Sequence, residues 1–325
     1  MKSNPIIIVA GEPNSIFLEI FFKIYKSNFL KNYKFPLLLI ASKSLVLKQM
    51  KMLKFNIKIK DVEEKELNKK LLNNKQINLI NVDFKYTKKF TNKTKRYISS
   101  CFKVAVNLMK KKLGSALING PVSKSTFLKK NYLGITEYLS SKTNTKGNEV
   151  MLIYSKYFSV SPITTHQPIK NVSKNIRTKS IVKKIEIINN FYKKYFHKNI
   201  KIAVCGLNPH CETTSNLSEE KKFIEPAIKN LKKKKIKVQG PMPADTIFLP
   251  KNLKKFDVIV GMYHDQVLAP IKAIVGFNAI NITLGLPFIR ISPDHGPNIS
   301  MFGKNKSNHQ SLLESLLFLK KICGN

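Results

Sequence analysis

Short apolar runs alternate with longer amphipathic segments along this chain, and this alternation limits the folds that it can adopt. Pro5–Ala10, Pro36–Ala41 and Ile200–Asn208 are short and rich in Ile, Val and Leu. Runs of this length predict buried β-strands. Thr94–Lys112 and Ile181–Tyr195 carry apolar residues at helical spacing. Strands that alternate with helices predict an α/β fold with a largely parallel sheet.

Two further elements are predicted in the second half of the chain. Phe256–Asp265 has the pattern of a strand. Ser218, followed by Glu219 and Glu220, predicts the start of a helix, with acidic groups at the positive end of its dipole.

The length of the chain predicts two lobes, because 325 residues exceed the size at which one hydrophobic core usually stops growing. No apolar run approaches the roughly 18 residues of a membrane span. The five apolar residues before Gly11 predict a first strand rather than a secretory segment. Four cysteines without a Cys-x-x-Cys pair are typical of a reducing, cytoplasmic compartment.

The chain is strongly basic, with a formal net charge of +39 and a pI near 10.0. All but three of its 58 basic residues are lysines, the exceptions being Arg96, Arg177 and Arg290. Proteins that read nucleic acids usually rely on arginine for bidentate contacts. Lysine, asparagine and isoleucine share A/T-rich codons, so genome composition is a sufficient cause of the charge. Because no recognition motif accompanies it, we expect no specific nucleic-acid partner.

Three of the six histidines occupy similar positions in the sequence. His166 lies in TTHQP, His210 in GLNPHC and His264 in MYHDQ, each beyond an apolar run or at a proline-marked turn. Open α/β sheets place ligand-binding groups at such positions. Taken singly, each is better explained as a hydrogen-bonded structural histidine. Together they are candidate ligands of one divalent metal ion.

Lys272, Asn281 and Arg290 follow His264 within a segment the length of a βαβ unit. Arginine offers a planar fork of donors and lysine a point charge, a combination suited to phosphate or carboxylate. Arg290 lies between two isoleucines, which indicates a buried anionic partner, either a ligand or a structural ion pair.

Two further candidates follow turns. Thr136 in GITEY is either a helix cap or a ligand contact. Asp245 in PADT is a candidate either for a general base or for a carboxylate that supports a metal ligand. No Gly-x-Gly-x-x-Gly, P-loop or Gly-x-Ser-x-Gly motif is present. A Rossmann or P-loop nucleotide site is therefore not supported, nor is a serine hydrolase site.

Assembled in order, these motifs resemble the 4-hydroxythreonine-4-phosphate dehydrogenase family of pyridoxal phosphate biosynthesis. The resemblance runs almost end to end, through the GEP turn, NGPVSK, GITE, TTHQP, GLNPH, the helix with EE and IEPAI, GPMPADTIF, MYHDQ, TLGLPFIR and DHG. It implies an isocitrate/isopropylmalate dehydrogenase-like fold, with two α/β lobes and a central cleft, in a homodimer with a shared active site. We expect lobe one, on the dinucleotide side, to comprise residues 1–125 and 270–325. Lobe two, with the metal, substrate and dimer contacts, would comprise residues 126–269.

The resemblance also implies a role for each candidate residue. The ligands of a zinc, magnesium or cobalt ion would be His166, His210 and His264, with His264 contributed across the dimer interface. The substrate contacts would be Thr136, Lys272, Asn281 and Arg290. The candidate proton acceptors are Lys272 and Asp245. The loop near NAD or NADP would hold Asp294, His295 and Gly296.

The reaction implied by the resemblance is the NAD-dependent oxidation and decarboxylation of 4-phosphohydroxy-L-threonine to 3-amino-2-oxopropyl phosphate. This step belongs to pyridoxine 5'-phosphate biosynthesis. A metal held by imidazoles would lower the pKa of the substrate hydroxyl, and a cationic wall would anchor the phosphate.

The chain departs from the family pattern at three places. The opening loop is GEPNSIFLE, with Ser15 and Phe17 where the family has glycines. Ile135 replaces a histidine that contacts substrate, and Pro297 replaces a threonine of the loop near the dinucleotide. Isoleucine cannot bond phosphate and proline removes a backbone donor.

Two alternatives remain open. A paralogous dehydrogenase of another phosphorylated hydroxy acid, such as a phospho-threonate, would keep the three histidines and tolerate Ile135. A degenerate, non-catalytic basic protein would keep only the fold and would bind no metal.

Overall fold

The structure is a computed structural model that describes residues 3–87, 89–123, 127–128, 132–211, 218–293 and 295–324. These residues divide between two compact units. Unit 1 comprises residues 1–143 and 287–325, and unit 2 comprises residues 144–286. No helix within the described ranges is long and apolar enough to cross a membrane.

Strands and helices largely alternate along the described residues, as the sequence predicts. The strands are β1 (Ile6–Val9), β2 (Leu37–Ala41), β3 (Ile59–Asp61), β4 (Ile77–Asn81), β5 (Ala116–Asn119), β6 (Val150–Tyr154), β7 (Ser159–Thr164), β8 (Ile202–Cys205), β9 (Val238–Met242), β10 (Val258–Tyr263), β11 (Ile280–Leu284) and β12 (Arg290–Pro293). The α-helices are α1 (Phe17–Lys26), α2 (Lys43–Met52), α3 (Asn92–Lys110), α4 (Ile135–Lys142), α5 (Val172–Asn175), α6 (Thr178–Phe196), α7 (Glu225–Lys233), α8 (Ala244–Ile247), α9 (Pro250–Leu253), α10 (His264–Val275) and α11 (Gln310–Cys323).

Unit 1 is built on a parallel sheet. In the described part of this unit the strand order is β3-β4-β2-β1-β5-β12. β1, β2 and β5 are buried along their whole length. Strands covered on both faces read as continuous apolar runs, which explains why these three are visible in the sequence. α3 packs on β1 and β2, and α11 packs on β12.

Unit 2 is built on a mixed sheet with the order β11-β6-β7-β10-β8-β9 among its described residues. β7, β10, β8 and β9 run parallel, whereas β6 is antiparallel to both β7 and β11. An apolar cluster that includes Val160, Ala203, Ile259 and Ile271 packs beneath the parallel strands. Because β11 pairs with β6 and α10 packs on β7, residues 270–286 belong to this unit. The predicted lobes divided at residues 125/126 and 269/270, and the units divide at 143/144 and 286/287.

Two elements differ from the sequence prediction. The helix predicted from Ser218 is a π-helix over Glu220–Ile224 that continues into α7. The strand predicted over Phe256–Asp265 ends at Tyr263, because α10 begins at His264. Both differences lie in segments that carry side chains of the candidate site.

Candidate functional site

Four neighbouring parallel strands of unit 2 each lead to a residue predicted for the site. β7 is followed by His166, β10 by His264, β8 by His210 and β9 by Asp245. Since β7, β10, β8 and β9 are neighbours in this order and run parallel, all four residues follow the same edge of the sheet. This is the carboxyl edge, where open α/β sheets bind ligands.

His166 and His264 form a pair of adjacent imidazoles. Thr164, at the end of β7, lies opposite Tyr263 in β10, so the two histidines leave the sheet side by side. Their ring centroids lie 5.3 Å apart with an interplanar angle of 44°. Two imidazoles on one tetrahedral ion, with metal–nitrogen distances of about 2.1 Å, would have centroids about 5 Å apart. The pair therefore fits two ligands of a single metal ion.

The orientation of the His264 ring follows from its neighbour. His264 Nδ1 lies 2.6 Å from Asp265 Oδ1. A carboxylate accepts, so Nδ1 donates and Nε2 is left as the ligand nitrogen. A carboxylate that fixes the tautomer and ring orientation in this way is usual behind metal-binding histidines.

His210 lies on the turn Pro209–Cys211 in a left-handed conformation, with φ of 55°. Its Nδ1 lies 3.7 Å from Asp245 Oδ2, and both side chains are more than half exposed. Among the described residues, no three His, Cys, Asp or Glu side chains lie close enough together to hold a metal ion. The histidine pair and the His210–Asp245 pair are therefore two separate constellations in this conformation.

Glu220 holds the loop that carries His210. Its Oε1 accepts hydrogen bonds from the backbone N–H groups of Leu207 (2.7 Å) and Asn208 (2.8 Å), and its Oε2 accepts from Asn208 Nδ2 (2.7 Å). Burial raises the pKa of the Glu220 carboxyl, but the hydrogen bonds from Asn208 and Leu207 outweigh burial and lower it below its usual value. Glu219 assists, since it accepts hydrogen bonds from Asn208 and from Ser173.

Sequence reasoning assigned these carboxylates to the helix dipole and missed the loop contact. Two acidic residues after a serine are typical of a helix start, so the sequence favoured that interpretation. Nothing in the local pattern indicates that Glu220 accepts a hydrogen bond from Asn208, twelve residues earlier. Gln266 was likewise missed as a link. Its Oε1 accepts from Met262 N at 2.7 Å and its Nε2 donates to Gly206 O at 2.8 Å. It thereby ties the strand before His264 to the loop before His210.

Lys272 and Asn281 also lie in unit 2. Lys272 is half-buried on α10, eight residues after His264 and thus about 12 Å further along the helix axis. Asn281 lies in β11 opposite Ile153. Within the described ranges its Oδ1 is buried without a hydrogen-bond partner. A buried polar atom of this kind is costly unless a ligand or water satisfies it.

Arg290 lies at the start of β12 in unit 1 and is fully buried. Its Nε donates to Asn119 Oδ1 at 2.7 Å. Burial lowers the pKa of Arg290 to about 9, and the nearby Glu137 carboxylate opposes this. The guanidinium therefore keeps its charge at neutral pH. A half-buried carboxylate of the same unit, Glu137, thus lies near enough to act on this guanidinium.

Glu137 lies in the first turn of α4, beside Thr136, which is 4% exposed. Ile135, which stands where the family has a histidine, is the first residue of this helix. α4 begins after Gly134 without a side-chain cap. Thr136 therefore does not serve as the N-cap, which removes the simplest structural explanation for this threonine.

The GEP turn of unit 1 packs on the turn after β5. Gly11 has φ of +78°, and a Cβ there would lie 2.5 Å from Pro121 O. Ser15 and Phe17 are not among the positive-φ residues. Phe17 begins α1, is fully buried and stacks on His295 with ring centroids 6.4 Å apart. The loss of the family's glycines is therefore compatible with an ordinary helix start.

The turn also contacts the loop predicted near the dinucleotide. Pro297 O accepts a hydrogen bond from Ile16 N at 3.1 Å. His295 Nδ1 lies 2.9 Å from Gly296 O. Asp294 lies outside the described residues.

Comparisons with known proteins agree on one family. The family model described as pyridoxal phosphate biosynthetic protein PdxA matches residues 33–318. A 4-hydroxythreonine-4-phosphate dehydrogenase from Sulfurihydrogenibium sp. (strain YO3AOP1) is 34% identical over 323 residues, covering 97% of this chain and 98% of the relative. One from Wigglesworthia glossinidia brevipalpis is 34% identical over 324 residues, covering 97% and 95%. The crystal structure of the Klebsiella pneumoniae enzyme of that name superposes with a TM-score of 0.84 at 25% identity, covering 98% of this chain and 99% of that one.

Proposed function

Because the chain belongs to the PdxA family of pyridoxal phosphate biosynthetic proteins, we propose that it is a 4-hydroxythreonine-4-phosphate dehydrogenase. It oxidises and decarboxylates 4-phosphohydroxy-L-threonine to 3-amino-2-oxopropyl phosphate, with NAD or NADP as hydride acceptor. The observation that carries the proposal furthest is the His166–His264 pair at the carboxyl edge of the unit 2 sheet, with centroids 5.3 Å apart.

We assign His166, His264 and His210 as ligands of one zinc, magnesium or cobalt ion. The pair supplies two imidazole nitrogens. His210 follows the neighbouring parallel strand β8 and lies beside Asp245, so it completes the site only when its turn moves toward the pair. When bound, such an ion acts as a Lewis acid that lowers the pKa of a hydroxyl and stabilises negative charge on oxygen. Asp265 keeps the His264 ring in its ligand tautomer through the 2.6 Å contact to Nδ1.

The residues proposed to hold the phosphorylated substrate are Thr136, Lys272, Asn281 and Arg290. Arg290 is fully buried, so its side chain is held in place before substrate binds, and it keeps its proton at neutral pH. The buried Oδ1 of Asn281 is a ready acceptor for a substrate donor. Fixed groups of this kind orient a substrate at little cost in entropy.

Lys272 and Asp245 are the two candidates for the proton acceptor. Asp245 lies beside His210, at 3.7 Å, so its replacement affects both proton transfer and the orientation of that histidine. The variants Asp245→Asn and Lys272→Met separate the two. Loss of the proton acceptor lowers kcat at unchanged metal affinity, whereas loss of an orienting group weakens metal binding.

The cofactor would lie near His295 and Gly296, whose loop is joined to the GEP turn by the Pro297–Ile16 hydrogen bond. We also propose that the protein is a homodimer with a shared site. The family resemblance has His264 reach across the interface, but its ring already lies against His166 of the same chain. Sedimentation equilibrium, together with mixing of His264→Ala and His166→Ala variants, tests whether the site is shared, because only a shared site regains activity in the mixed dimer.

Formation of NADH from 4-phosphohydroxy-L-threonine, coupled to detection of 3-amino-2-oxopropyl phosphate, tests the proposal. We expect turnover that a chelator abolishes and added divalent metal restores. Absence of substrate-dependent NADH in the metal-loaded protein would contradict the proposal. A panel of phosphorylated hydroxy acids tests the second candidate, a paralogous dehydrogenase, which is favoured by Ile135 at the first position of α4.

A further inference from the structure

A cavity of about 770 Å³ lies in unit 1 at the amino-terminal ends of β2, β3 and β4. Its walls are residues 25–36, which connect α1 to β2, residues 56–58 before β3 and residues 72–75 before β4. The GEP turn and the loop after Asn119 follow the carboxyl ends of β1 and β5. The cavity therefore lies at the opposite edge of this parallel sheet. The volume lies within the roughly 300–1,000 Å³ typical of small-molecule sites.

The rim of this cavity is cationic. Five of its lining residues are exposed lysines, and no lining residue is acidic. The lysines are Lys26, Lys31, Lys34, Lys58 and Lys75. Within the described part of the chain none of them forms an ion pair. Several uncompensated positive charges around one concave surface attract and retain anions.

The floor of the cavity is apolar. Leu30, Tyr33 and Leu72 line it and are only 5%, 6% and 2% exposed. Tyr25 and Ile57 add further apolar and aromatic surface. An apolar floor beneath a cationic rim suits a ligand that has both a flat ring and anionic groups.

Side-chain amides hold the walls together. Asn74 Oδ1 accepts from Leu37 N at 2.9 Å, and its Nδ2 donates to Tyr33 O at 3.3 Å. Asn78, which is fully buried, donates from Nδ2 to Leu37 O at 2.9 Å and to Asn73 O at 2.8 Å. The segments before β2 and β4 are therefore fixed to each other. A preformed cavity loses little conformational entropy when a ligand binds.

We propose that this cavity binds a compact organic phosphate, with a flat ring on Leu30, Tyr33 and Leu72 and the phosphate groups among the lysines. Lysine is a strong point-charge partner for phosphate. A nucleotide and a phosphorylated pyridine share this chemistry. Inorganic phosphate has the charge without the ring and binds more weakly.

Isothermal titration of the full-length protein tests the proposal with ATP, AMP, pyridoxine 5'-phosphate and inorganic phosphate. The salt concentration is about 0.15 M, at which the Debye length is about 8 Å. The cavity variant is Lys34→Glu/Lys58→Glu/Lys75→Glu. The matched control is Lys103→Glu/Lys110→Glu/Lys111→Glu, which makes the same charge change at exposed positions on or beside α3 of the same unit.

We expect saturable binding of at least one of the three phosphates that carry a ring. Its affinity should fall about tenfold or more in the cavity variant, which equals about 1.4 kcal/mol, and less than about twofold in the control. Circular dichroism checks that both variants are folded. An equal loss in the two variants would show unspecific attraction to a basic chain and overturn the proposal. So would an affinity for inorganic phosphate equal to that of every ring phosphate, or no saturable binding. Preference for AMP and ATP over pyridoxine 5'-phosphate, or the reverse, identifies the source.

Discussion

Replacing Glu220 with glutamine tests how the His210 loop is held. The glutamine side chain has nearly the same shape but no charge. Its carbonyl oxygen can still accept the two backbone N–H groups of Leu207 and Asn208 that now lie 2.7 and 2.8 Å from Oε1. Its amide nitrogen would then face Asn208 Nδ2, which lies 2.7 Å from Oε2. Two donors would meet where a donor and an acceptor met before.

The magnitude follows from these three contacts. Hydrogen bonds to a charged acceptor contribute about 1.5–3 kcal/mol each, and neutral ones about 0.5–1.5. Two bonds that become neutral cost about 1 kcal/mol each, and the lost third bond costs about 1–2 kcal/mol. Glu220 is 1% exposed, so water does not restore what is lost. We expect Glu220→Gln to lower the free energy of unfolding by about 3–4 kcal/mol.

Urea unfolding measures this loss, and calorimetric titration with Co²⁺ measures the effect on the proposed metal site. Since Glu220 positions the loop of a proposed ligand, we expect Co²⁺ affinity to fall about 10–100-fold. Glu225→Gln is the matched control, because the Glu225 side chain is 41% exposed and forms an ion pair at its surface with Lys221, at 3.0 Å. That control should lose less than about 1 kcal/mol. A Glu220→Gln protein as stable as the control would refute the reasoning.

The same carboxyl gives a pH dependence of stability. Hydrogen bonds lower the folded-state pKa of Glu220. The ionised carboxylate therefore contributes to the free energy of unfolding at pH values above the pKa of this glutamate in the unfolded chain. The contribution is lost as pH falls through the folded-state pKa. Wild type should therefore lose more stability than Glu220→Gln on acidification. Parallel acid-unfolding curves for the two proteins would contradict this assignment.

Three further outcomes are expected. Gly285→Ala should destabilise unit 2 by more than about 3 kcal/mol in urea unfolding, because a Cβ there would lie 1.9 Å from Asn148 O. Gly147 is the control, since it has the same φ of +81° and a Cβ there would meet open space. Gly147→Ala should cost about 1 kcal/mol. Arg290→Lys keeps a positive charge but removes the planar guanidinium whose Nε donates to Asn119 Oδ1 at 2.7 Å, so KM for the phosphorylated substrate should increase about tenfold or more. An unchanged KM would argue against a substrate role. His264→Ala removes one ring of the histidine pair, and Co²⁺ titration should show at least about 100-fold weaker binding.

The sequence by itself was sufficient for the fold class and the family. Continuous apolar runs at β1, β2 and β5 reveal the parallel sheet because those strands are buried on both faces. The predicted isocitrate/isopropylmalate dehydrogenase-like fold and the family assignment are confirmed. β9 was missed, because its sequence VQGPM carries a glycine and a proline and only one buried residue.

Tertiary structure decided which candidate residues meet. His166 and His264 are 98 residues apart in the sequence, and only the parallel pairing of β7 with β10 brings their rings to 5.3 Å. The same strand order places His210 and Asp245 just beyond the ends of the next two strands, β8 and β9. Glu220 was visible as an acid at a helix start, but its hold on the His210 loop depends on contacts with backbone groups 12 and 13 residues earlier in the chain. Local sequence determines which element a residue joins, whereas strand order determines its neighbours, because hydrogen-bonded strands bring together segments that are far apart in the chain.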